Sequence, residues 1–365
     1  MNYGKISLII GSSKAGKTTE LIRQINRYKN KNENICCICP NQSYIYKEFI
    51  QTNILFNVID NPQFIESNII IIDDLHMFKD ANIILPIMAN KMFKTIIAAS
   101  LDNNCDREPY EQIIDLIPKC DYVKKMNAFC SVLQDTTPAI FSKEIKGKIL
   151  PISREAYLNK KCGFLHVITG PMYSGKTTEL LRICKKYKSI NKKIFSINYE
   201  KDKRFSFNAD ICSHNQETIK TSISLSNLNK ILENNLDEYD VIVIDEVQFL
   251  QNAFETIKIL VEDYKKTVIA SGLDGDYLQN PFGDVCRLIT FADKLTRLNA
   301  ICKLSNNYQD AAFSRRIASS KETEFIGAED AYIAVSRQLY NLNDEEFYNI
   351  LKEKSEIIYK TSSSL

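Results

Sequence analysis

The chain repeats itself, and that repeat limits its possible folds more than any other property. The apolar run Ile6–Ile10 leads into Gly11-Ser-Ser-Lys-Ala-Gly16-Lys17-Thr18, and 159 residues later Phe164–Thr169 leads into Gly170-Pro171-Met172-Tyr173-Ser174-Gly175-Lys176-Thr177. Further on, Ile69–Ile72 with Asp73-Asp74 matches Val241–Ile244 with Asp245-Glu246 at a spacing of 172 residues. The same 172 separates Leu101-Asp102 from Leu273-Asp274, Cys130 from Cys302, and Phe141-Ser142 from Phe313-Ser314. A register that holds across unrelated residue types marks a duplicated unit. The jump from 159 to 172 gives the second unit 13 more residues between its Gly-rich turn and its acidic strand, an excess the alignment puts within 202–214.

Each unit reads as strand, Gly-rich turn, helix (18–29 and 177–188), strand, helix, acidic strand and a further apolar strand (95–99 and 267–270). Strands apolar on both faces that alternate with helices predict a mostly parallel sheet covered on both sides. The fold class expected is therefore α/β, with two P-loop domains, each a mostly parallel doubly wound sheet; the small substrate-loop subdomain expected after each is what the family resemblance given below implies. The polar Asn159-Lys160-Lys161 sets the boundary, giving domains over 1–160 and 161–340. A C-terminal helix and tail fill 341–365, with Asn343 as the cap and Phe347, Ile350, Leu351 and Ile358 on one face.

GxxxxGK[ST] between strand and helix has a physical purpose. Glycines let successive backbone N–H groups converge on phosphate oxygens at the positive end of a helix. The lysine then meets the β/γ-phosphates and the hydroxyl of the following Thr ligates Mg2+. Lys176 and Thr177 carry those roles in the second unit, with Asp245 at the strand end as the expected magnesium partner. Glu246, one residue on, is free to face an acceptor hydroxyl and serve as general base.

With 47 Lys and Arg against 45 Asp and Glu, the chain has no basic track for nucleic acid and no charged face for an acidic membrane. A nucleic-acid-stimulated P-loop ATPase and a nucleotide-binding pseudoenzyme are the competing classes, and the first lacks that track. No apolar run reaches the roughly 18 residues of a membrane span, and eleven cysteines without framework spacing suit reduced thiols, so the expected location is cytoplasmic.

The second unit resembles the type II thymidine kinase family over essentially all of 163–340. The resemblance rests on Gly170–Thr177 continuing through Thr178-Glu179-Leu180-Leu181-Arg182, on Asp245-Glu246-Val247-Gln248-Phe249, on Leu273-Asp274-Gly275 with Pro281-Phe282-Gly283, and on Gly327 to Tyr332. It implies transfer of the ATP γ-phosphate to the 5′-hydroxyl of thymidine or a related pyrimidine deoxynucleoside, with ATP and Mg2+ required. Carried over residue by residue, Glu246 takes the hydroxyl proton and Lys176 and Arg204 meet developing phosphate charge. Gly170 to Thr177, Asp202, Lys203, Arg204 and Asp245 to Gln248 hold ATP. Met172, Phe249, Leu273, Tyr277, Ser314, Tyr332 and the loop Thr323, Glu324, Phe325, Ile326 and Gly327 bind the acceptor. Self-association of the tandem pseudo-dimer is the one protein partnership the resemblance implies.

Two departures stand out. Family members carry two Cys-x-x-Cys pairs, a tetrahedral zinc signature; here the stretches read Cys302-Lys-Leu-Ser305 and Ser336-Arg-Gln-Leu339, so zinc is not expected. The first unit keeps Gly11, Gly16, Lys17, Thr18 and Asp73 as a candidate second nucleotide site. Yet Asp74 replaces the Glu, His76 replaces Gln248, Met77 replaces Phe249 and Cys105 replaces Tyr277. It reads as a degenerate, scaffolding copy.

Overall fold

The computed structural model describes residues 3–39, 66–133, 135–201, 211–212, 218–305, 309–317 and 331–362. Two parallel sheets organise the molecule. The first holds β1 (Lys5–Gly11), β2 (Ile35–Ile38), β3 (Ile69–Ile72), β4 (Thr95–Ser100) and β5 (Tyr122–Met126), in the order β2-β3-β4-β1-β5. The second holds β6 (Phe164–Thr169), β7 (Ile194–Tyr199), β8 (Ile223–Leu225), β9 (Val241–Ile244), β10 (Thr267–Gly272) and β11 (Lys294–Arg297), in the order β8-β7-β9-β10-β6-β11. The five shared strands lie in the same order, and β8 is an edge strand added to the second sheet alone among the described residues.

Alternation along each strand feeds two cores. Ile70 and Ile72 of β3 pack with Leu85 and Met88 of α2 (Ala81–Lys91) on one face, while Ile69 and Ile71 pack with Leu21 and Ile25 of α1 (Lys17–Lys29) on the other. The second half repeats this: Ile242 and Ile244 of β9 face α5 (Ala253–Glu262), and Val241 and Val243 face Leu180 and Cys184 of α4 (Lys176–Ser189). Strands buried on both sides need this continuous Val/Ile content, which is why they read as unbroken apolar runs.

The 13-residue excess falls after β7. Asp73 N–H bonds to the Ile38 carbonyl 35 positions before it, and Asp245 N–H bonds to the Ile197 carbonyl 48 positions before it. The sequence predicts a helix between β7 and β9. Among the described residues the second half carries there a short hairpin (Ile211–Cys212 with Thr218–Ile219), the strand β8 and the 3-10 segment Leu228–Glu233. The β-branched and Ser-rich stretch 218–226 favours extended chain, and Asn227 caps the segment by accepting the Asn229 N–H at 3.0 Å.

Beyond each sheet lies a small hairpin unit. Phe141–Ile145 pairs with Lys148–Ile152 through a tight turn in which Lys146 and Gly147 both have positive φ, 50° and 72°. Its counterpart pairs Phe313–Arg316 with Tyr332–Val335. The offset is 172 at Phe141 and Phe313 but 183 at Ile152 and Val335, so the first copy has lost 11 residues of the connecting loop. At the base of the second hairpin, Cys302, Leu304, Phe313, Val335, Leu339 and Phe347 form a closed apolar cluster. Phe347 comes from α7 (Asp344–Ser362), whose first turn is capped by Asn343 accepting the Glu346 N–H at 2.8 Å. Cys302 and Leu339, from the two stretches singled out in the sequence, lie in this cluster, and Ser305 donates to the Cys302 carbonyl at 3.1 Å. Among the described residues no helix is long and apolar enough to cross a membrane.

The halves share one hydrophobic core and meet along a pseudo-symmetric seam. Arg154 bonds to Glu262 (3.3 Å) and Asp293 (3.1 Å) across it, while Arg337 bonds to Asn90 and Asp121, each at 2.8 Å, in the opposite direction. Glu262 and Asn90, like Asp293 and Asp121, are 172 apart.

Candidate active site

The Gly170–Thr177 loop joins β6 to α4 at the C-terminal edge of the sheet. Gly170 has φ +146°, and a Cβ there would lie 2.1 Å from the Leu298 carbonyl oxygen, so only glycine allows that approach. Gly175 takes φ +84° and opens the helix with its N–H groups facing the loop. Tyr173 sits at φ +61° and is exposed. Lys176 Nζ reaches back 2.8 Å to the Pro171 carbonyl, and Met172 N–H donates to Ser314 Oγ at 2.9 Å. That last bond ties the loop to the hairpin Phe313–Arg316 with Tyr332–Val335.

Two strands away, β9 delivers Asp245. Its Oδ2 accepts the Thr177 hydroxyl at 3.1 Å, and its Oδ1 accepts the Glu246 N–H at 3.0 Å. Glu246 is half-buried with φ +52°, a left-handed conformation costly for a side chain of its size. Gln248 then bridges: its Nε2 donates to Glu246 Oε2 at 2.5 Å, and its Oε1 accepts the Leu273 N–H at 3.2 Å. Gly272 and Gly283 leave no room for a Cβ against Gln248, 2.5 Å from Oε1 and 2.4 Å from its carbonyl oxygen. Val247 is buried in the core beneath.

Phe249 stacks on Tyr199 at 5.1 Å and meets Phe282 edge-on at 5.2 Å. Tyr277 and Tyr332 approach within 6.5 Å, with the Arg316 guanidinium 4.8 Å from the Tyr277 ring centre. Phe282, within the Pro281-Phe282-Gly283 motif, and Arg316 thus join residues that the motifs single out, and neither carries a signal of its own in the sequence. Asp202, Lys203, Arg204 and Thr323 to Gly327 lie outside the described residues. A cleft of about 500 Å3 opens beside Gln248 and Phe249, but Lys176 and Glu246 do not line it.

The first half reproduces part of this. Thr18 donates to Asp73 at 3.0 Å, Asp74 has φ +51°, and Ser13 N–H donates to Ser142 at 2.9 Å. Lys17 is buried, its ammonium held by the carbonyls of Gly11 (3.0 Å) and Ser12 (2.6 Å). Burial lowers its pKa, against the opposing pull of Asp102, Asp74 and Asp73. Burial raises Asp74 and pushes His76 down to about 4, so a neutral imidazole accepts the Leu101 N–H at 3.4 Å. The imidazole thus keeps the loop-holding half of the Gln248 arrangement.

The thymidine kinase family model matches residues 4–159 and again 163–340. The chain belongs to the thymidine kinase family. Individual relatives align with about half of it. Thymidine kinase 1 of Dictyostelium discoideum is 40% identical over 187 residues, 50% of this chain and 80% of its own length. The thymidine kinase of Myxoma virus (strain Uriarra) is 37% identical over 180 residues, 49% of this chain and 96% of its own. The cytosolic thymidine kinase of Homo sapiens is 34% identical over 182 residues, 50% and 75% respectively. The two matched segments make the thymidine kinase module a tandem in this chain.

Proposed function

We propose that the second half transfers the γ-phosphate of ATP to the 5′-hydroxyl of thymidine, or of a closely related pyrimidine deoxynucleoside. The observation that carries this reading is the Gln248 bridge. It fixes a carboxylate, Glu246, between the phosphate loop and the Leu273–Tyr277 loop, where an acceptor hydroxyl would have to lie. Glu246 removes the hydroxyl proton as the oxygen attacks. The Gly170–Thr177 amides and Lys176 hold the β- and γ-phosphates and neutralise charge as it moves to the leaving group. Arg204 adds a second positive charge there.

The Thr177–Asp245 pair offers only hard oxygen donors, which suits Mg2+. Bound there, the ion would draw charge from the phosphate oxygens. Around the base, Phe249 and Tyr277 supply flat surfaces, Met172 and Leu273 apolar walls, and Tyr332 with Thr323 to Gly327 the polar edge.

The first half is proposed to be non-catalytic. Its acceptor hairpin is trimmed to the Lys146-Gly147 turn, its carboxylate is one methylene shorter, and His76 offers Glu246's counterpart no second amide. It retains the Thr18–Asp73 pair needed for Mg-nucleotide. Neither a nucleic-acid-stimulated ATPase nor a pseudoenzyme gains support from the relatives. Purified protein should release ADP only when thymidine is present, with dTMP formed in equal amount. Acceptor-independent ADP release, or no turnover with any pyrimidine deoxynucleoside, would overturn the reading.

A further inference from the structure

Each half carries a buried cation at the same register, and each cation crosses the seam. Arg297 donates from Nε to Asp274 Oδ2 at 2.7 Å, then from Nη1 and Nη2 to the carbonyls of Asp121 and Cys120 in the first half, both at 3.0 Å. Lys125, 172 residues earlier, pairs with Asp102 at 2.7 Å and donates to the carbonyls of Ile289 (3.1 Å) and Thr290 (2.6 Å) in the second half. Both ion pairs are sealed, with side chains 6% exposed or less. A buried pair of this kind persists only where every remaining donor finds an acceptor, and those acceptors belong to the other half.

Asp274 is not a bystander. It follows Leu273, whose N–H holds Gln248, and its carbonyl accepts the Phe282 N–H at 3.3 Å. Gly275 beside it presses on the first half so closely that a Cβ would lie 2.6 Å from Pro118 Cβ. The loop then turns through Asp276, whose Oδ1 accepts the N–H groups of Leu278 and Asn280, and presents Tyr277. We propose that the first half is the positioning partner of the acceptor loop: Arg297 acts as a positioning residue that fixes Leu273–Tyr277 against the Cys120 and Asp121 carbonyls, so the catalytically silent half sets acceptor affinity. This rests on the thymidine kinase reading of the second half. Arg297 pairs through its backbone with Thr169, which leads into the P-loop, but its guanidinium bonds run to Asp274, Asp121 and Cys120 and not to the Thr177–Asp245 pair, so a side-chain substitution acts first on the acceptor loop.

The test separates acceptor from nucleotide. In the full chain, Arg297→Met should raise the thymidine KM on the order of tenfold while the KM for ATP stays within about twofold, since one displaced positioning group costs that much or more. Arg297→Lys should restore most of the loss, because Lys125 shows that a lysine can make the equivalent clamp. Lys125→Met should lower thermal stability yet leave the thymidine KM unchanged. Gly275→Ala wedges the same loop away from the first half and should raise the thymidine KM by a comparable factor, and adding Pro118→Gly in the other half should reverse it. The inference fails if Arg297→Met or Gly275→Ala shifts both KM values in parallel, if neither shifts the thymidine KM, or if Pro118→Gly gives no relief. Should Arg297→Met not fold, the Gly275→Ala and Pro118→Gly pair decides alone. Absence of any thymidine turnover in the parent protein would instead refute the kinase reading itself.

Discussion

Replacing Glu246 by Asp asks for one methylene less at the carboxylate, the substitution that the first half already carries at Asp74. A C–C bond of about 1.5 Å withdraws the carboxyl group by nearly that much. The 2.5 Å bond to Gln248 Nε2 then opens to about 4 Å, beyond any hydrogen bond. A misplacement near 1 Å in a reacting group costs about 100-fold, or roughly 2.7 kcal/mol of transition-state stabilisation. Glu246→Gln removes the base and should cost about 10²- to 10⁴-fold in kcat. Neither change touches the Thr177–Asp245 pair or the Gly170–Thr177 loop, so Mg-ATP affinity should hold in both variants. The assay is thymidine-dependent ADP release at saturating substrates, with nucleotide affinity read separately by calorimetry. A kcat within threefold of the parent for Glu246→Gln, or a parallel loss of ATP affinity, would refute the assignment of this carboxylate.

Lys176→Ala should abolish measurable turnover, whereas Lys17→Ala should keep it; calorimetry with Mg-ATP on the Lys176→Ala protein would show one remaining binding event if the first half holds nucleotide, and none if Lys17 is also replaced. Gly170→Ala should unfold the protein several degrees early in a melting scan, since its Cβ would sit 2.1 Å from the Leu298 carbonyl at a φ that costs on the order of 1–3 kcal/mol. His76, pushed down to about 4 by burial, stays neutral in the folded state while the unfolded chain takes up a proton below its ordinary value of 6.5. Its contribution to stability is therefore present above pH 6.5 and lost as pH falls towards 4, by up to about 1.4 kcal/mol per unit. His76→Gln, the residue of the second half, should flatten the urea midpoint's pH dependence in that window; an unchanged slope would argue against a neutral buried imidazole.

The strands, the phosphate loops and the acidic strand ends were legible because each is a local pattern: unbroken Val and Ile runs, glycines at fixed spacing, paired carboxylates. The 172-residue register was legible too, and it carried more than the motifs that revealed it. Asp121 with Asp293, Asn90 with Glu262, and Lys125 with Arg297 all obey it, yet none is recognisable alone, since a buried ion pair joins residues distant in sequence and of ordinary polarity. The trimmed hairpin of the first half leaves a trace in the sequence. Ser153-Arg154 and Ser336-Arg337 are 183 apart rather than 172, which locates the 11-residue loss between the hairpin strands. Among the described residues before β9 the expected helix is replaced by the strand β8 and the 3-10 turn Leu228–Glu233, as the Ser, Thr and Ile content of 218–226 favours extended chain. Ser314 and Met172, both expected at the base pocket from the resemblance, are joined by a hydrogen bond that no local pattern announces, because it links residues 142 positions apart.

The seam between the halves has a consequence for how this sequence can change. In a symmetric dimer one substitution strikes an interface twice, and both strikes must be tolerated at once. Here each side mutates separately, and the ties have already drifted into different chemistry: a lysine opposite an arginine, an asparagine where its twin is a glutamate, Asn103 where its twin is Gly275. Fusion also makes the encounter of the two sides independent of concentration, so dilution that would part a weak dimer leaves this one whole.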